Sequence, residues 1–300
     1  MTKRRIRMLN ADVEIGGKRL RYSISDNTGA NLWAINIHGF LAGGGVYWRE
    51  STRLAARLGL RMVNPNMPAF AGSEALHWDD LTMHNFSSVL IGLMDHLEID
   101  RALLLGHSMG GGIAVQITHD YPERVAGVVY RDGVATSSWK QRSGLFKRIF
   151  DPISPDVGSA LDLGYSALID VPDFLYSRAS SMLSTAAPDV RQNARNLLDT
   201  APVFAMLLFT DLTPLVEELG RRTDLPLLPM WGRFDRLIPA KTAHEFAEIS
   251  GRGIHWVWGG HSWMIPRPNT TSEYLTTSPE GAEFLHNVFE RAGTASPASI

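Results

Sequence analysis

The chain has 300 residues, 44% of them hydrophobic and 20% charged, the balance of a globular protein long enough for one large α/β domain or a core with an insertion. Its 29 basic and 31 acidic residues leave a formal net charge of -2, so no strong field of either sign favours nucleic acid as a partner. There are no cysteines, which excludes disulfides, cysteine nucleophiles and thiolate metal sites together and suits a reducing compartment.

The N-terminal MTKRRIRMLNADVEI starts basic, but no apolar stretch of the signal-peptide kind follows it. No apolar run of roughly 18 residues suggests a spanning helix. A cytoplasmic protein with no membrane partner is therefore expected. Val13 to Ile15 and Leu20 to Ile24 alternate on either side of Gly16-Gly17, which predicts a hairpin. LWAINI, from Leu32 to Ile37, is the short apolar run of a buried strand and stops at His38-Gly39. A helix is expected from Trp48 to Leu58, and a second short strand from Arg61 to Asn64, closed by NPNMPAFAGS. Between Thr82 and Leu97, Phe86, Val89, Leu90, Leu93, Met94 and Leu97 recur at helical spacing. A strand at Arg101 to Leu105, a helix at Ser108 to Asp120 and a strand at Val125 to Tyr130 follow. Strands alternating with helices predict a parallel sheet covered on both faces.

The alternation stops after Asp132. Residues 134–222 carry helical patches and prolines but no strand pattern. It resumes with a strand at Leu225 to Trp231, a helix at Ala240 to Ile249, a strand at Ile254 to Trp258 and a helix at Pro279 to Arg291. The small, polar tail GTASPASI is expected to fray. These breaks predict a core domain of residues 1–133 and 223–300, with residues 134–222 inserted as a helical cap. Its natural place is over the carboxyl edge of the sheet, where open α/β folds bind ligands.

Gly106-His107-Ser108-Met109-Gly110 carries the chemistry. It matches G-x-S-x-G, directly follows the strand RALLL and opens a helix of small residues. A serine there occupies a sharp strand-to-helix turn, with glycines two before and two after to avoid backbone collisions. The helix N-terminus then faces a developing oxyanion. A small-residue turn packing a helix onto a sheet explains the glycines but not the serine.

A serine nucleophile needs a base. His261 stands in GGHSW, just past the last strand, where a loop can carry an imidazole over the serine. His77, His84, His96 and His119 lie on or before helices. His244 and His286 lie on helices and His255 in a strand, where packing or solvated roles dominate. His107 is inside the elbow and His38 belongs to the earlier HG pair; Gly39, both of these histidines and Trp263 are taken as substrate contacts. Asp235, after the strand LPLLPMW, is the expected acid, which gives the chain order Ser, Asp, His. Asp132 is its competitor, also at a carboxyl edge. Met109 should give one oxyanion donor and Phe40 the other, from the loop after LWAINI. Gly43-Gly44-Gly45 in that loop fits either close approach to a ligand or a flexible surface loop.

Together HGF, NPNMPAFAGS, GHSMGG, YPERV, WGRFDRLIP and GGHSWM resemble the α/β-hydrolase superfamily over nearly the whole chain. The resemblance implies an eight-stranded, mostly parallel sheet flanked by helices, with a cap after the sixth strand. Asn64 stands where that family often has an aspartate. Serine at position 108 excludes the covalent chemistry of the relatives that use aspartate at the elbow. The expected activity is hydrolysis of a carboxylic ester, thioester or lactone of a small apolar substrate, with no cofactor and no metal. Aromatic cap residues such as Phe146, Phe174, Phe204 and Phe209 fit an apolar ligand, and fit the cap's own packing better. A carbon–carbon bond hydrolase of the meta-cleavage-product type and a cofactor-free perhydrolase or haloperoxidase would use the same triad. A non-catalytic binding domain accords poorly with a complete triad. Homo-oligomerisation stays open.

Overall fold

A hairpin opens the fold. The strands β1 (Met8–Ile15) and β2 (Lys18–Ser25) pair antiparallel and turn at Gly16 and Gly17, with φ of 58° and 74°. Two left-handed residues in succession match the twist of a hairpin, and glycine takes them without a steric penalty. The computed structural model describes residues 5–139, 187–189, 191–193 and 195–295.

Alternation then runs as expected. β3 (Leu32–Ile37) leads to α1 (Trp48–Leu58), β4 (Leu60–Pro65) to α2 (Met83–His96), and β5 (Ala102–His107) to α3 (Met109–Asp120) before β6 (Val125–Arg131). Helices α4 (Leu197–Phe209) and α5 (Thr213–Arg221) precede β7 (Leu227–Gly232), α6 (Ala240–Ser250) and β8 (His255–Val257). The chain ends in α7 (Thr270–Thr277) and α8 (Pro279–Arg291). The eight strands form one sheet, ordered β1-β2-β4-β3-β5-β6-β7-β8. Only the β1–β2 and β2–β4 pairings are antiparallel.

Every residue of β5, β6 and β7 is buried, as unbroken apolar strands require when helices cover both faces. Successive side chains go to opposite faces. In β6, Val128 and Tyr130 join the core under α2 and α3 while Val129 joins the core under α1 and α8; the register shift at Ala102/Leu103 resets the alternation, so that Val125 shares the face of Val128 and Ala126 that of Val129. The ends are locally specified. Thr82 Oγ1 caps α2 by accepting from the Asn85 N–H at 3.1 Å, and α1 stops at Gly59 with φ 66°.

Two features depart from expectation. The helix α7, TTSEYLTT, has poor intrinsic propensity and no clear apolar stripe; it is held by burial of Thr271, Ser272 and Leu275. The second concerns α5, at the end of the stretch expected to form the cap. α5 packs on α3 and α6, with Val216 and Leu219 in the main core, and a Cβ on Gly220 would lie 2.7 Å from the Ile249 carbonyl oxygen. An amphipathic helix carries no mark of which partner it covers, and Thr213–Arg221 covers helices of the core layer. Phe146 and Phe174 of the expected cap, and residues 296–300 of the tail, lie outside the described residues. No helix among the described residues is long and apolar enough to cross a membrane.

A buried polar network lies beneath the carboxyl edge. Arg131 and Glu50 form an ion pair at 2.7 Å with both side chains closed to solvent. Arg131 also donates to Asn36 Oδ1 and the Leu105 carbonyl, and Thr271 Oγ1 donates to Glu50 Oε1 at 2.6 Å. The pair thereby ties β3, β5 and β6 to α1 and α7. Glu50→Gln would keep the shape and leave Arg131 uncompensated. We expect it to cost about 3 kcal/mol or more of unfolding free energy in urea titrations; a loss below about 1 kcal/mol would contradict that role.

Candidate active site

Ser108 joins β5 to α3 with no loop between them, at φ 53° and ψ -116°. A non-glycine residue with positive φ is strained, and the surroundings hold it there. The Ser108 N–H donates to the Arg131 carbonyl at 3.0 Å, while the Ser108 carbonyl accepts from Gly111 and Val134 at 2.9 and 3.2 Å. The flanking glycines are obligatory. A Cβ on Gly106 would lie 2.4 Å from the Gly110 oxygen, and one on Gly110 would lie 2.2 Å from the Ile37 oxygen. The side chain of Ser108 thus stands at the end of the sheet, above the first turn of α3.

His261 comes to the same edge on the loop after β8. Its Nδ1–H donates to Asp235 Oδ2 at 2.8 Å. Asp235 follows β7, its side chain is fully buried, and its Oδ1 accepts the Ile238 N–H at 2.8 Å. A carboxylate only accepts, so it fixes the proton of His261 on Nδ1 and leaves Nε2 as the basic nitrogen. The His261 loop is fastened to the elbow as well. His107, next to Ser108, donates from Nε2–H to the His261 carbonyl at 2.9 Å, and the two rings are 4.7 Å apart.

Asp132 does not hold the histidine. It sits fully buried after β6 with φ 44°, and accepts the Gly232 N–H on Oδ1 at 2.7 Å and the Trp263 indole N–H on Oδ2 at 2.6 Å. It also hydrogen-bonds to the Asp235 carboxyl. Burial first, and the Asp235 charge second, push the Asp132 carboxyl far up. Asp132, Asp235 and His261 place potential ligand atoms within 4.8 Å of one another, but N–H donors already occupy both carboxyls. The arrangement is that of a hydrogen-bonded relay.

The expected substrate contacts are placed differently. His38 is fully buried; its Nδ1–H donates to the Gly39 carbonyl and its Nε2 accepts the Met67 N–H, both at 2.8 Å. His107 takes a hydrogen bond on Nδ1 from the Tyr47 hydroxyl at 2.6 Å, and Tyr47 in turn accepts the Gly39 N–H at 3.3 Å. Trp263 is closed to solvent and spends its indole N–H on Asp132. These three side chains are hydrogen-bonded into the frame around the buried strand ends. Gly39 does approach the site: a Cβ there would lie 3.1 Å from Ser108 Cβ. Among the described residues, neither the Phe40 nor the Met109 backbone N–H has an acceptor.

The glycine run is a packed element rather than a free loop. A Cβ on Gly44 would lie 2.5 Å from the Asn64 oxygen, and one on Gly43 would lie 2.6 Å from Ala71 Cβ. Asn64 itself donates to the Gly44 carbonyl at 3.1 Å, which an aspartate could not do. Tyr47 and Asn193 were not legible as site-shaping residues, since neither belongs to a motif. Beside the elbow, the rings of Phe204, Phe40 and Phe70 follow one another at 5.1 and 5.5 Å, an apolar aromatic wall. A cavity of about 670 Å³ on the far side of the glycine run is lined by Arg21, Trp48, Asp189 and Gln192 and does not include Ser108.

Burial lowers the His38 pKa from 6.5 to about 4, because a charged imidazole there loses water and the Met67 bond. The unfolded chain therefore binds a proton that the folded one refuses between those values. Stability present above pH 6.5 is lost as pH falls toward about 4, by about 3 kcal/mol for this group. His107, pushed down first by burial, acts in the same direction. Urea titrations across that window should show a shallower slope for His38→Gln than for the parent; equal slopes would remove His38 from the account.

A family profile described as alpha/beta hydrolase fold matches residues 35–268. A protein of Mycobacterium phage D29 named for non-heme haloperoxidase activity is 27% identical over 254 residues, covering 83% of this chain and 87% of the other. The 2-hydroxy-6-oxononadienedioate/2-hydroxy-6-oxononatrienedioate hydrolase of Paraburkholderia phymatum is 27% identical over 268 residues, covering 82% and 88%. Among solved structures, the enol-lactonase from Burkholderia xenovorans LB400 superposes with a TM-score of 0.69 at 18% identity, over 92% of this chain and 99% of that one. With its sheet order, its strained serine and this match over most of its length, the chain belongs to the α/β-hydrolase fold family.

Proposed function

We propose that the chain is a serine hydrolase that cleaves a carboxylic ester, thioester or lactone of a small apolar substrate through an acyl-enzyme on Ser108. The observation that carries this is the 2.8 Å bond between His261 Nδ1 and Asp235, on a loop fastened to the elbow that bears Ser108. His261 Nε2 takes the Ser108 hydroxyl proton as Oγ attacks the acyl carbon. The carbonyl oxygen gains charge at the N-terminus of α3, where the Met109 and Phe40 amides donate. His261 then protonates the leaving group, and water cleaves the acyl-enzyme by the same route. Asp235 orients the imidazole, and the protonated Asp132 holds Asp235. The aromatic wall of Phe40, Phe70 and Phe204 supports an apolar acyl or alcohol part. Residues 134–212 would form the cap over this edge, with α4 contributing Phe204.

The Paraburkholderia relative favours a second reading, hydrolysis of a carbon–carbon bond in a vinylogous diketone, which the same three residues can perform. The phage relative points to peroxide-dependent halogenation. Rates on a p-nitrophenyl ester, on a vinylogous diketone acid and in peroxide-dependent bromination separate the three. The ester should be turned over fastest; preference for the diketone would overturn the ester assignment.

Ser108→Ala should lower ester turnover about 10³-fold or more and abolish labelling by a fluorophosphonate. Near-parental activity in that variant would sink the mechanism. Asp132→Asn keeps a donor toward Asp235 and should lose less than about tenfold in kcat, while Asp132→Leu should lose about a hundredfold. Equal losses in the two variants would show that Asp132 works as an anion, against its assignment as a neutral donor.

A further inference from the structure

Asn193 lies in the segment between β6 and β7, in a stretch where 187–189 and 191–193 are helical. It is polar, yet only 1% exposed. Its carboxamide is spent on the backbone of two loops of the core. Nδ2 donates to the Leu41 carbonyl at 2.8 Å and to the Ala42 carbonyl at 3.0 Å. Oδ1 accepts the Ala71 N–H at 2.7 Å. Both amide hydrogens and one oxygen lone pair are thereby engaged, the full use expected of a buried amide.

The partners are strained. Leu41 has φ 60° and Ala71 has φ 46°, left-handed conformations that residues with a Cβ avoid. Leu41 is the third residue of a turn closed by the Ala42 N–H on the Gly39 carbonyl at 3.2 Å. With positive φ at that position, such a turn favours glycine or asparagine. Leucine holds it here because its carbonyl and the next one are tied to Asn193. Released, Leu41 would rotate to negative φ and open the bond from the Ala42 N–H to the Gly39 carbonyl, and that carbonyl shares one peptide plane with the Phe40 N–H. The second residue of the same turn is Phe40.

We propose that Asn193 is a positioning residue that locks the Gly39–Ala42 turn, and with it the Phe40 amide, to the Ala71 loop. A residue of the inserted segment would then complete the site of charge stabilisation on the core. This rests on the acyl-transfer reading given above. Asn193 touches no reacting atom; it acts through the turn. Neighbouring packing agrees, since Asp189 of the same stretch lies against the glycine run, with Oδ2 2.7 Å from where a Gly43 Cβ would be.

The test pairs a catalytic readout with one that needs no activity. Asn193→Ala should lower kcat on a p-nitrophenyl ester about tenfold or more, with KM within about threefold, because a donor displaced from an oxyanion is missed mainly in the transition state. Asn193→Asp has the same shape and keeps the acceptor for Ala71, but turns a carboxylate toward two carbonyls. Its kcat relative to the parent should rise as pH falls through the carboxylic range, when the acid regains a donor. Hydrogen exchange should show the Ala71 amide losing protection in Asn193→Ala. A kcat of Asn193→Ala within about twofold of the parent, or a pH-independent Asn193→Asp ratio, would overturn the proposal. If the parent hydrolyses no ester, the acyl-transfer reading fails by itself, and unchanged protection at Ala71 would still sink the lock separately.

Discussion

Ser108 is strained because β5 must hand the chain to α3 without an intervening loop. A residue held at such a φ costs about 1–3 kcal/mol, which neighbouring structure has to offset. Much of the surrounding chemistry serves that end. The N–H of Ser108 is held by the carbonyl of Arg131, and the guanidinium of the same arginine is anchored by Glu50, Asn36 and the Leu105 carbonyl. The ion pair and the elbow are therefore parts of one construction. β5 cannot shift against β6 without breaking both the guanidinium bond to the Leu105 carbonyl and the bond that keeps the serine raised.

Three histidines meet at this edge, and burial separates their roles. His38 and His107 are enclosed on all sides and pushed down, so both stay neutral; each accepts a hydrogen bond on one nitrogen and donates from the other to a carbonyl. His261 alone of the three is hydrogen-bonded to a carboxylate, that of Asp235. That ring is also the one carried on the loop fastened to the elbow. Charge is rationed among the acids in a similar way. Two carboxyls in one buried site cannot both ionise cheaply, and the one without an imidazole partner, Asp132, is the one pushed up.

Periodicity made most of the scaffold legible. LWAINI, the α1 span Trp48–Leu58 and the α8 span Pro279–Arg291 coincide with the structure, because apolar spacing and turn residues agree there with the packing. The elbow was legible for a stronger reason, since its glycines are demanded by contacts under 2.5 Å. What periodicity cannot show is pairing across distance. Glu50 looks like a solvated helix residue and Arg131 like the charged end of a strand; their bond spans 81 positions. Asn193 reaches Ala71 across 122 positions and leaves no trace in local pattern. α7 escaped because threonine and serine form helices only when a partner such as Glu50 receives them.

The inserted segment and the core are thus more interdependent than two stacked layers. Phe204 of α4 lies on Phe40, and Asn193 holds the carbonyls just beyond Phe40, so two points of one segment bear on the same short turn. An apolar ligand that displaced Phe204 from Phe40 would press on the turn whose strain Asn193 sustains. Binding energy from a remote apolar group would then be felt at the Phe40 amide, the proposed oxyanion donor, which is where such energy accelerates a reaction. The aromatic wall would in that case select a substrate and help to set the geometry of its transition state.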